Sequence, residues 1–411
     1  MAIKVILVHP SDPFGPKVGG VETFIKDFIK YAPEDFDIEF IGISSDKIKR
    51  PLGKKMTLLL GAKKFDFWAL FYEKDENRKT IIPLSLRFTI ALKFFKHSFE
   101  DKIIFFNRIE PAVLFKKVRA AKIAIIHTDI TKHVLNGKSE ILWAQFPRIY
   151  FIFERQIFEH FDHIYAVSKN TVEYYLKNYP EKGDIFSFLP GCVDTNVFCP
   201  AKEEKSHIRR VLSSSHDRLP INERWILFVG RLQEAKAPFR LIKAFSEYHN
   251  AYHSGQLIII GDGNLKNKMM KHAKKECLED KISFLDNINQ EELACFYNAA
   301  DTLLLTSNFE GMPRCVLEAL ACGLPVVSTN VGEVKLIVKP GLSGEIVSGT
   351  SAKEIALSIE KVLANPQIYT KENCIDSVRD YTPQNVLKPF YEMIEKLYTD
   401  RFTVNKKYEN N

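Results

Sequence analysis

Short apolar runs alternate with stretches of helical periodicity along most of this chain, and this alternation constrains the fold more than any other feature. Parallel strands joined by crossover helices have this pattern, because such strands are covered on both faces and are apolar throughout. The strands predicted in the first half are residues 3–9, 38–43, 103–107, 123–127 and 163–167. Those predicted in the second half are residues 225–229, 257–261, 282–285, 302–306 and 326–328. We expect an α/β fold with parallel sheets, and only the irregular segment 54–83 stays unassigned.

The chain is long enough for two hydrophobic cores. Its 411 residues exceed the usual size of one domain and predict two domains of about 150 to 200 residues each. Pro200, the polar run through Ser213–Ser215 and Pro220 indicate a boundary region near residues 191–222. The predicted divisions are a first domain 1–195, a second domain 196–382, a C-terminal helix within 383–400 and a flexible tail 401–411.

The most informative local pattern is the sequence SNFEGMPRCVLEALACGLPVV, which begins at Ser307. Pro313 suits the first position of a helix and Gly323 suits the residue just past its end, so a helix of about three turns is predicted. Glu310 then lies in the loop before the helix, and Glu318 lies about 7 to 8 Å along the helix axis. The free N–H groups of the helix start are expected between the two carboxylates.

This order of groups suits an elongated ligand with hydroxyls at both ends and an anion in the middle, which is the layout of a nucleotide-diphosphate sugar. The helix start, with the backbone of Gly311, Met312 and Pro313, would hold the diphosphate. Glu318 would accept hydrogen bonds from ribose hydroxyls and Glu310 from the sugar, each contributing about 1.5 to 3 kcal/mol. Two carboxylates that only solvate a helix end are the plainer alternative.

A second cluster follows the predicted strand 225–229, at the carboxyl end where open α/β sheets bind ligands. Arg231 can grip a phosphate with two parallel bonds, and Lys236 adds a mobile point charge. Together they would neutralise a departing nucleoside diphosphate without a metal ion. The spacing of Asp35 and Asp37 is that of a metal-binding pair, but their turn context favours solvated carboxylates.

On these residues the chain resembles the group 1 retaining glycosyltransferases, which have the two-domain GT-B fold. Glu310 and Glu318 match the E-x7-E signature of that family. The other similar segments are Gly19-Gly20-Val21-Glu22, Phe188 to Pro200, Val229-Gly230-Arg231-Leu232 with Lys236, Gly261-Asp262-Gly263 and Ser328 to Gly332.

The resemblance implies two Rossmann-like domains that face each other across a cleft, with the C-terminal helix packing back on the first domain. It implies retaining, metal-independent transfer from a nucleotide sugar to a hydroxyl of a glycan or lipid-linked acceptor, in the synthesis of cell-surface polysaccharide, lipopolysaccharide or glycolipid. The nucleotide sugar is a co-substrate, and no further cofactor is expected. The implied catalytic residues are Arg231, Lys236, Glu310 and His127. The implied donor-binding residues are Gly19, Gly20, Gly230, Gly311, Met312, Pro313 and Glu318.

Two positions depart from the pattern of the family. Ala237 stands where a Gly usually follows the Lys, so its backbone would be strained if the site needs a positive φ. Glu333 occupies the place of a second Gly near Gly332. These departures leave the identity of the donor open.

Composition favours a reducing cytoplasm. The seven Cys are scattered without a C-x-x-C pair, which argues against structural zinc and for reduced thiols. The apolar start is too short for a signal peptide, and Arg148, Glu154, Arg155 and Glu159 interrupt the one long apolar segment. We therefore expect a cytoplasmic protein, soluble or peripheral on the inner face of the membrane.

Positive charge is concentrated in residues 46–119, which hold 18 Lys and Arg against 8 Asp and Glu, while the whole chain carries only +7. Basic residues between Lys47 and Lys64 alternate with apolar ones from Leu58 to Trp68, a mixture that would dock on an anionic membrane. A solvated basic face over an ordinary core is the other interpretation. No nucleic-acid-binding motif is found, so nucleic acid is not expected as a partner.

Two alternatives to a transferase stay open. A glycoside hydrolase would use Glu310 and Glu318 as paired carboxylates, but that leaves Arg231 and Lys236 without a purpose. A catalytically silent subunit that binds a nucleotide sugar within a membrane assembly would account for the departures at Ala237 and Glu333.

Overall fold

The computed structural model describes residues 2–16, 19–76, 80–127, 147–216 and 219–403. The chain divides into unit 1, Met1–Pro190 with Pro383–Asn411, and unit 2, Gly191–Thr382. The predicted division after residue 195 falls inside unit 2. Of the predicted flexible tail, residues 404–411 lie outside the described residues.

Unit 1 contains one twisted sheet, with eight strands among the residues that the structure describes. In chain order these strands are β1 Ile3–Val8, β2 Phe36–Ser44, β3 Lys55–Leu60, β4 Lys63–Tyr72, β5 Ile103–Phe106, β6 Ala121–Ile126, β7 His163–Ala166 and β8 Phe186–Phe188. Their order across the sheet is β3-β4-β2-β1-β5-β6-β7-β8. All neighbouring strands are parallel except β3 and β4, which are antiparallel.

Unit 2 contains a parallel sheet, with six strands in its described part. They are β9 Trp225–Val229, β10 Gln256–Ile260, β11 Ile282–Leu285, β12 Thr302–Leu305, β13 Val326–Thr329 and β14 Gly344–Val347. Their order is β11-β10-β9-β12-β13-β14, so β9 lies between β10 and β12. Strands β9 and β12 are thus neighbours although β10 and β11 lie between them in the chain.

Helices cover the sheets. In chain order they are α1 Gly20–Lys30, α2 Leu84–Lys93, α3 Pro147–Phe158, α4 Lys169–Asn178, α5 Lys205–Ser215, α6 Pro238–Tyr252, α7 Lys266–Lys275, α8 Gln290–Ala299, α9 Arg314–Ala321, α10 Val334–Ile337, α11 Ala352–Ala364, α12 Lys371–Val378 and α13 Pro383–Tyr398. Short 3-10 turns occur at Glu110–Phe115, Pro180–Ile185 and Glu234–Lys236, and a π-turn at Thr399–Thr403. No helix in the described part of the chain combines the length and the apolar character needed to cross a membrane.

The predicted strands are confirmed to within about two residues at each end, because their sequences are nearly continuous apolar runs. Strand β5 (IIFF) and strand β10 (QLIII) are buried along their whole length. Strands in the middle of a parallel sheet have apolar neighbours on both faces, and β-branched and aromatic side chains fill that space well. Strands β8 (FSF) and β14 (GEIV) were not predicted, because polar residues and a glycine interrupt these short segments and leave no continuous apolar run.

The segment 54–83, which had no assignment, begins with a hairpin of β3 and β4 joined by Gly61 and Ala62. Its pattern alternates, and the inward-facing Phe65 and Phe67 are only 2% and 0% exposed. These two aromatic side chains therefore belong to the core and not to the membrane-docking surface predicted for this segment.

Several basic residues of the same predicted surface are also engaged within the protein. The Arg50 side chain is buried, with its Nε 2.7 Å from the Asp12 carboxylate. Lys55 pairs with Asp66 across the hairpin at 2.7 Å, and Lys63 donates to the carbonyl of Pro33. The interpretation of residues 47–68 as an exposed basic and apolar stripe is therefore wrong at Arg50, Phe65 and Phe67, which are buried, whereas the Lys55 side chain stays 51% exposed.

The boundary segment predicted as a polar linker contains helix α5, so that Ser213–Ser215 form its last turn. This helix is fastened to unit 2 by Arg209, which is 2.6 Å from Asp301 and donates to the Ala299 carbonyl at 2.9 Å. The polar residues that suggested a linker are the outward face of an amphipathic helix.

Helix α13 returns the chain to unit 1. The Phe390 ring packs against Phe28 and Phe105 at centroid distances of 5.5 and 5.2 Å. The Tyr391 hydroxyl donates to the Phe28 carbonyl at 2.8 Å. The last helix thereby completes the hydrophobic core on one face of the first sheet.

Helix α3 places a carboxyl group, Glu154, in the core of unit 1. The side chain is fully buried and accepts hydrogen bonds from the hydroxyls of Tyr175 at 2.9 Å and Tyr179 at 3.1 Å. Burial raises the pKa of Glu154 to about 7, and the tyrosine hydrogen bonds only partly oppose this. The folded protein therefore favours the protonated carboxyl group.

We expect Glu154 to make stability depend on pH. The pKa of Glu154 is about 7 in the folded protein, above the ordinary value of 4.5. Its contribution to the free energy of unfolding is therefore complete below about pH 4.5 and is lost as the pH rises to about 7. The loss amounts to about 3 kcal/mol. The Glu154→Gln side chain cannot ionise and so does not lose stability as the pH rises. In urea denaturation, the difference in free energy of unfolding between Glu154→Gln and the wild type should therefore be much more positive at pH 8 than at pH 4.5.

Glu159→Gln serves as the matched control for this prediction, because Glu159 is exposed one turn beyond Glu154. It should follow the wild type at both pH values. A Glu154→Gln variant with the same pH dependence as the wild type would contradict the assignment.

Candidate functional site

The loop after β9 carries Gly230, Arg231 and, in a 3-10 turn, Lys236. Arg231 is exposed at the carboxyl end of the strand. The loop after β10 packs directly on this one, since a Cβ atom at Gly261 would lie 2.2 Å from the Gly230 carbonyl oxygen. Gly261 also has a φ of +142°. The first glycine of the Gly261-Asp262-Gly263 motif is thus required by the close approach of two loops.

The loop after β12 is bonded to the loop after β9. The Asn308 N–H donates to the Ala235 carbonyl at 2.8 Å, and the Thr306 hydroxyl donates to the Lys236 carbonyl at 3.3 Å. Arg240 of α6 donates to the Thr306 carbonyl at 2.9 Å and to the Asn308 side chain at 2.8 Å. These bonds hold the two loops together at the carboxyl ends of adjacent strands.

The side chains of Lys236 and Glu310 form an ion pair in this setting. Lys236 Nζ is 2.6 Å from Glu310 Oε1, and the two side chains are only 17% and 12% exposed. The Ser307 hydroxyl donates to the same carboxylate oxygen at 2.6 Å. Burial lowers the pKa of Lys236, but the charge and hydrogen bond of Glu310, together with Cys315, more than offset this and raise the pKa above its ordinary value. Lys236 is therefore a firmly protonated cation in a fixed position.

Glu318 is buried in α9 and has a defined partner. The Tyr297 hydroxyl, on α8, donates to Glu318 Oε2 at 2.9 Å. Burial, followed by the Glu318 charge, raises the pKa of Tyr297 well above its usual range, so the phenol keeps its proton. Tyr297 orients the carboxylate and leaves its other oxygen for a ligand hydroxyl or for contacts within the protein.

Helix α9 begins one residue later than predicted. Pro313 has φ −73° and ψ 109° and is the N-cap residue, so the first helical residue is Arg314. The helix has eight residues instead of the predicted three turns. It ends as expected before Gly323, which has a φ of +79° and follows the C-cap residue Cys322.

Neighbouring backbone holds the loop before α9 in place. The Glu333 N–H donates to the Gly311 carbonyl at 2.8 Å, and a Cβ atom at Gly332 would lie 2.0 Å from that oxygen. Glu333 itself has an ordinary φ of −93°. The departure from glycine at this position therefore causes no backbone strain.

The side chain of Met312 turns into the core of unit 2. It is 8% exposed, and its Sδ accepts the Gly191 N–H at 3.0 Å. The Met312 side chain is therefore not available to a ligand, and its predicted role in donor binding is restricted to its main chain.

In unit 1 the predicted residues form a separate group at the carboxyl edge of the sheet. Gly19 is the N-cap residue of α1 and Gly20 its first residue, and the φ of −169° at Gly19 is extended backbone open to any residue. His127 follows β6, and its ring lies 5.5 Å from Phe24 of α1. His127 Nε2 is 2.9 Å from Asn107 Oδ1, a hydrogen bond that fixes the orientation of the imidazole ring.

The structure therefore gathers the predicted residues in two places. Unit 2 holds one group at the ends of β9 and β12, namely Gly230, Arg231, Lys236, Glu310, Gly311, Met312, Pro313 and Glu318. Unit 1 holds Gly19, Gly20 and His127. Among the residues that the structure describes, no group of three or more His, Cys, Asp or Glu side chains is arranged to hold a metal ion.

Three supporting residues were missed by sequence reasoning. Ser307 holds Glu310, Tyr297 holds Glu318 and Asn107 holds His127. The position of Asn107 at the end of a predicted strand was a usable signal, as was the closeness of Ser307 to Glu310. Tyr297 gave none, because it lies 21 residues before its partner in another helix.

Residues 214–380 match the family model described as glycosyl transferases group 1. A relative, the D-inositol 3-phosphate glycosyltransferase of Corynebacterium jeikeium, is 26% identical over 261 residues, which cover 61% of this chain and 60% of that protein. The chain thus spans about three fifths of the length of this relative.

Two solved structures are similar over nearly the whole chain. Sucrose-phosphate synthase from Thermosynechococcus elongatus has a TM-score of 0.76 at 20% identity, covering 98% of this chain and 100% of that one. Anabaena HepE in complex with UDP-glucose has a TM-score of 0.71 at 16% identity, covering 96% and 100%. At these identities the likeness concerns the fold, and it confirms the expected α/β architecture of the GT-B type.

Ala237, which stands where the family usually has a glycine, has a left-handed backbone conformation. It has φ 46° and ψ 55°, the left-handed conformation that costs a non-glycine residue about 1 kcal/mol. We expect Ala237→Gly to leave the free energy of unfolding unchanged or to raise it by up to about 1 kcal/mol, since relief of strain offsets the greater entropy of unfolded glycine.

The matched control for this prediction is Ala251→Gly, an exposed alanine within α6 in right-handed helical backbone. It should lower the free energy of unfolding by about 0.5 to 1 kcal/mol. Equal losses in the two variants, measured by urea denaturation, would show that position 237 has no preference for glycine.

Proposed function

We propose that this chain, whose residues 214–380 match the family model of the group 1 glycosyl transferases, transfers a sugar from a nucleotide-diphosphate sugar to a hydroxyl of a glycan or lipid-linked acceptor. The relative named as a D-inositol 3-phosphate glycosyltransferase supports glycosyl transfer, and the UDP-glucose complex of HepE supports this class of donor. We further propose that transfer retains the anomeric configuration and needs no metal ion, and that the products are cell-surface polysaccharide or glycolipid.

The observation that carries the proposal is the buried ion pair of Lys236 and Glu310 beside Arg231 and the start of α9. In unit 2 the two loops bring a fixed cation, a carboxylate and a helix N-terminus to one edge of the sheet. A bound diphosphate would meet Lys236, Arg231 and the backbone amides at the start of α9. These groups would stabilise the negative charge that grows on the leaving diphosphate, which is electrostatic catalysis without a metal ion.

The ion pair also supports a role for Glu310 in orienting the sugar. Its Oε1 is already shared by Lys236 and Ser307, so the carboxylate is held rigidly before any ligand binds. Hydroxyl groups of the transferred sugar would donate to the remaining acceptor positions. A preorganised acceptor avoids the loss of side-chain entropy on binding.

Glu318 is proposed to accept hydrogen bonds from the ribose of the donor, with Tyr297 as the residue that positions it. In unit 1, His127 is proposed to contact the sugar or the acceptor. The hydrogen bond between its Nε2 and Asn107 Oδ1, 2.9 Å long, holds the imidazole in one orientation for such a contact.

A thermal-shift screen with UDP, GDP, ADP and their sugar conjugates, with and without a chelator, tests the donor site. A nucleotide at 100 times its dissociation constant stabilises the folded protein by about 2.7 kcal/mol. We expect one base to give a selective shift that the chelator does not change. No shift with any nucleotide would contradict the proposal, and binding without product from any acceptor pool would indicate the catalytically silent subunit.

The role of Glu318 is tested by pairing a variant with a modified ligand. Glu318→Ala should weaken binding of the selected ribonucleoside diphosphate by about 1.5 to 3 kcal/mol, roughly 10- to 150-fold, because a charge-assisted hydrogen bond is lost. It should scarcely change binding of the 2′,3′-dideoxy analogue, which lacks the ribose hydroxyls. Tyr297→Phe should show the same selectivity to a smaller extent, since the carboxylate stays but loses its orientation.

Glu279→Ala, an exposed glutamate of unit 2, is the control in this calorimetric titration and should bind both ligands like the wild type. Equal losses for the ribonucleotide and its dideoxy analogue in Glu318→Ala would show that Glu318 does not contact the ribose.

A further inference from the structure

Helix α2 of unit 1 leaves a row of large apolar side chains exposed. Ile82, Leu86, Ile90 and Phe94 have exposed fractions of 47%, 48%, 49% and 76%. A spacing of four residues places successive side chains on one side of a helix, so Leu86 and Ile90 lie in line on α2 and Phe94 follows at its C-cap. We call these four residues the α2 stripe.

The opposite side of α2 is fully used by the core. Phe88 is 0% and Leu92 3% exposed, and both belong to the hydrophobic cluster beneath the sheet. The α2 stripe is therefore a second apolar face, in excess of what packing within unit 1 requires. Single exposed apolar residues are normal, whereas two on α2 with one before its start and one at its C-cap indicate a contact surface.

Basic side chains border the stripe. Lys93 and Lys96 are exposed at the C-terminal end of α2, and Lys117 is exposed just after the 3-10 turn Glu110–Phe115 that packs on α2. Arg87, in contrast, is held by Glu73 at 2.7 Å and lies over the Phe71 ring. The charge available beside the stripe is thus lysine charge, carried on long flexible side chains.

We propose that the α2 stripe is a membrane-docking surface that inserts into the interface of an anionic bilayer, with the bordering lysines on the lipid phosphates. A bilayer surface presents acyl chains and anionic headgroups in one plane, which complements an apolar row flanked by ammonium groups. Branched aliphatic residues and a phenylalanine suit the acyl boundary, while lysine reaches outward to the headgroups. The helix lies on the bilayer and does not cross it.

The α2 stripe lies within residues 46–119, the basic region for which the sequence predicted contact with an anionic membrane surface. The mixture of basic and apolar residues in 47–68 suggested that contact, but Phe65, Phe67 and Arg50 are buried there. The proposed docking surface is therefore α2. Docking is independent of the donor site in unit 2 and goes beyond the proposed transfer, and it favours the lipid-linked class of acceptor.

Co-sedimentation of the full chain with vesicles of phosphatidylcholine alone or mixed with phosphatidylglycerol tests the proposal. The wild type should bind the mixed vesicles and lose this binding at high salt. The double variant Leu86→Ser and Ile90→Ser should bind at least tenfold more weakly. The matched control, Leu357→Ser with Ile368→Ser, changes two equally exposed residues of unit 2, 55% and 42%, and should bind like the wild type.

A charge-reversal variant, Lys93→Glu with Lys96→Glu, tests the electrostatic part and should also bind the mixed vesicles at least tenfold more weakly. The Leu86→Ser and Ile90→Ser double variant, called the stripe variant, should keep the unfolding midpoint and the nucleotide-induced thermal shift of the wild type. This result would separate docking from folding and from donor binding. If the donor screen fails while vesicle binding persists, docking stands without the proposed transfer.

Three results would overturn the proposal. One is equal binding of the wild type to neutral and mixed vesicles, and another is full binding by the Leu86 and Ile90 double variant. The third is a wild-type dimer in sedimentation velocity that binds no vesicles and that the stripe variant converts to monomers, since a second copy of the chain would then cover the stripe.

Discussion

The adjacency of β9 and β12 in the parallel sheet of unit 2 is the constraint on which the site depends. All carboxyl ends of a parallel sheet meet at one edge, so residues far apart in the chain become neighbours there. Lys236 and Glu310 are 74 residues apart, yet their side chains are 2.6 Å from each other. Backbone bonds between the two loops, such as Asn308 to Ala235, fix this approach before any side chain is considered. The ion pair follows from the strand order.

Two carboxyl groups with little exposure have contrasting neighbours. Glu310 lies against an ammonium group, and its charge raises the pKa of Lys236 despite burial. Glu154 lies among neutral tyrosine hydroxyls, and burial raises its own pKa to about 7. A buried ion pair adds little net stability, because desolvation offsets the attraction between the charges. The pair at Lys236 is better understood as a fixed electrostatic arrangement for a ligand than as a support for the fold.

Different physical constraints act on the glycines and on the alanine near this site. Gly261 and Gly332 are needed because another backbone lies where a Cβ atom would be. Ala237 keeps a left-handed conformation without glycine, because the start of α6 and the loop bonds around Thr306 impose it. Its strain is the local cost of presenting Lys236 in the turn immediately before α6.

The sequence by itself determined the α/β class, most strand positions and the residues at both carboxyl edges. It could do so because buried parallel strands are continuous apolar runs and because loop and helix signals, such as Gly323, are local. Only the tertiary structure decided which other residues support them: Tyr297 contacts Glu318 and Asn107 contacts His127, and each pair joins separate elements. The sequence of α2 also did not reveal which of its sides is exposed, because apolar residues lie on several sides of the helix. Local periodicity reports which side chains can be buried, whereas the order of strands and the space left above the sheet decide which of them are.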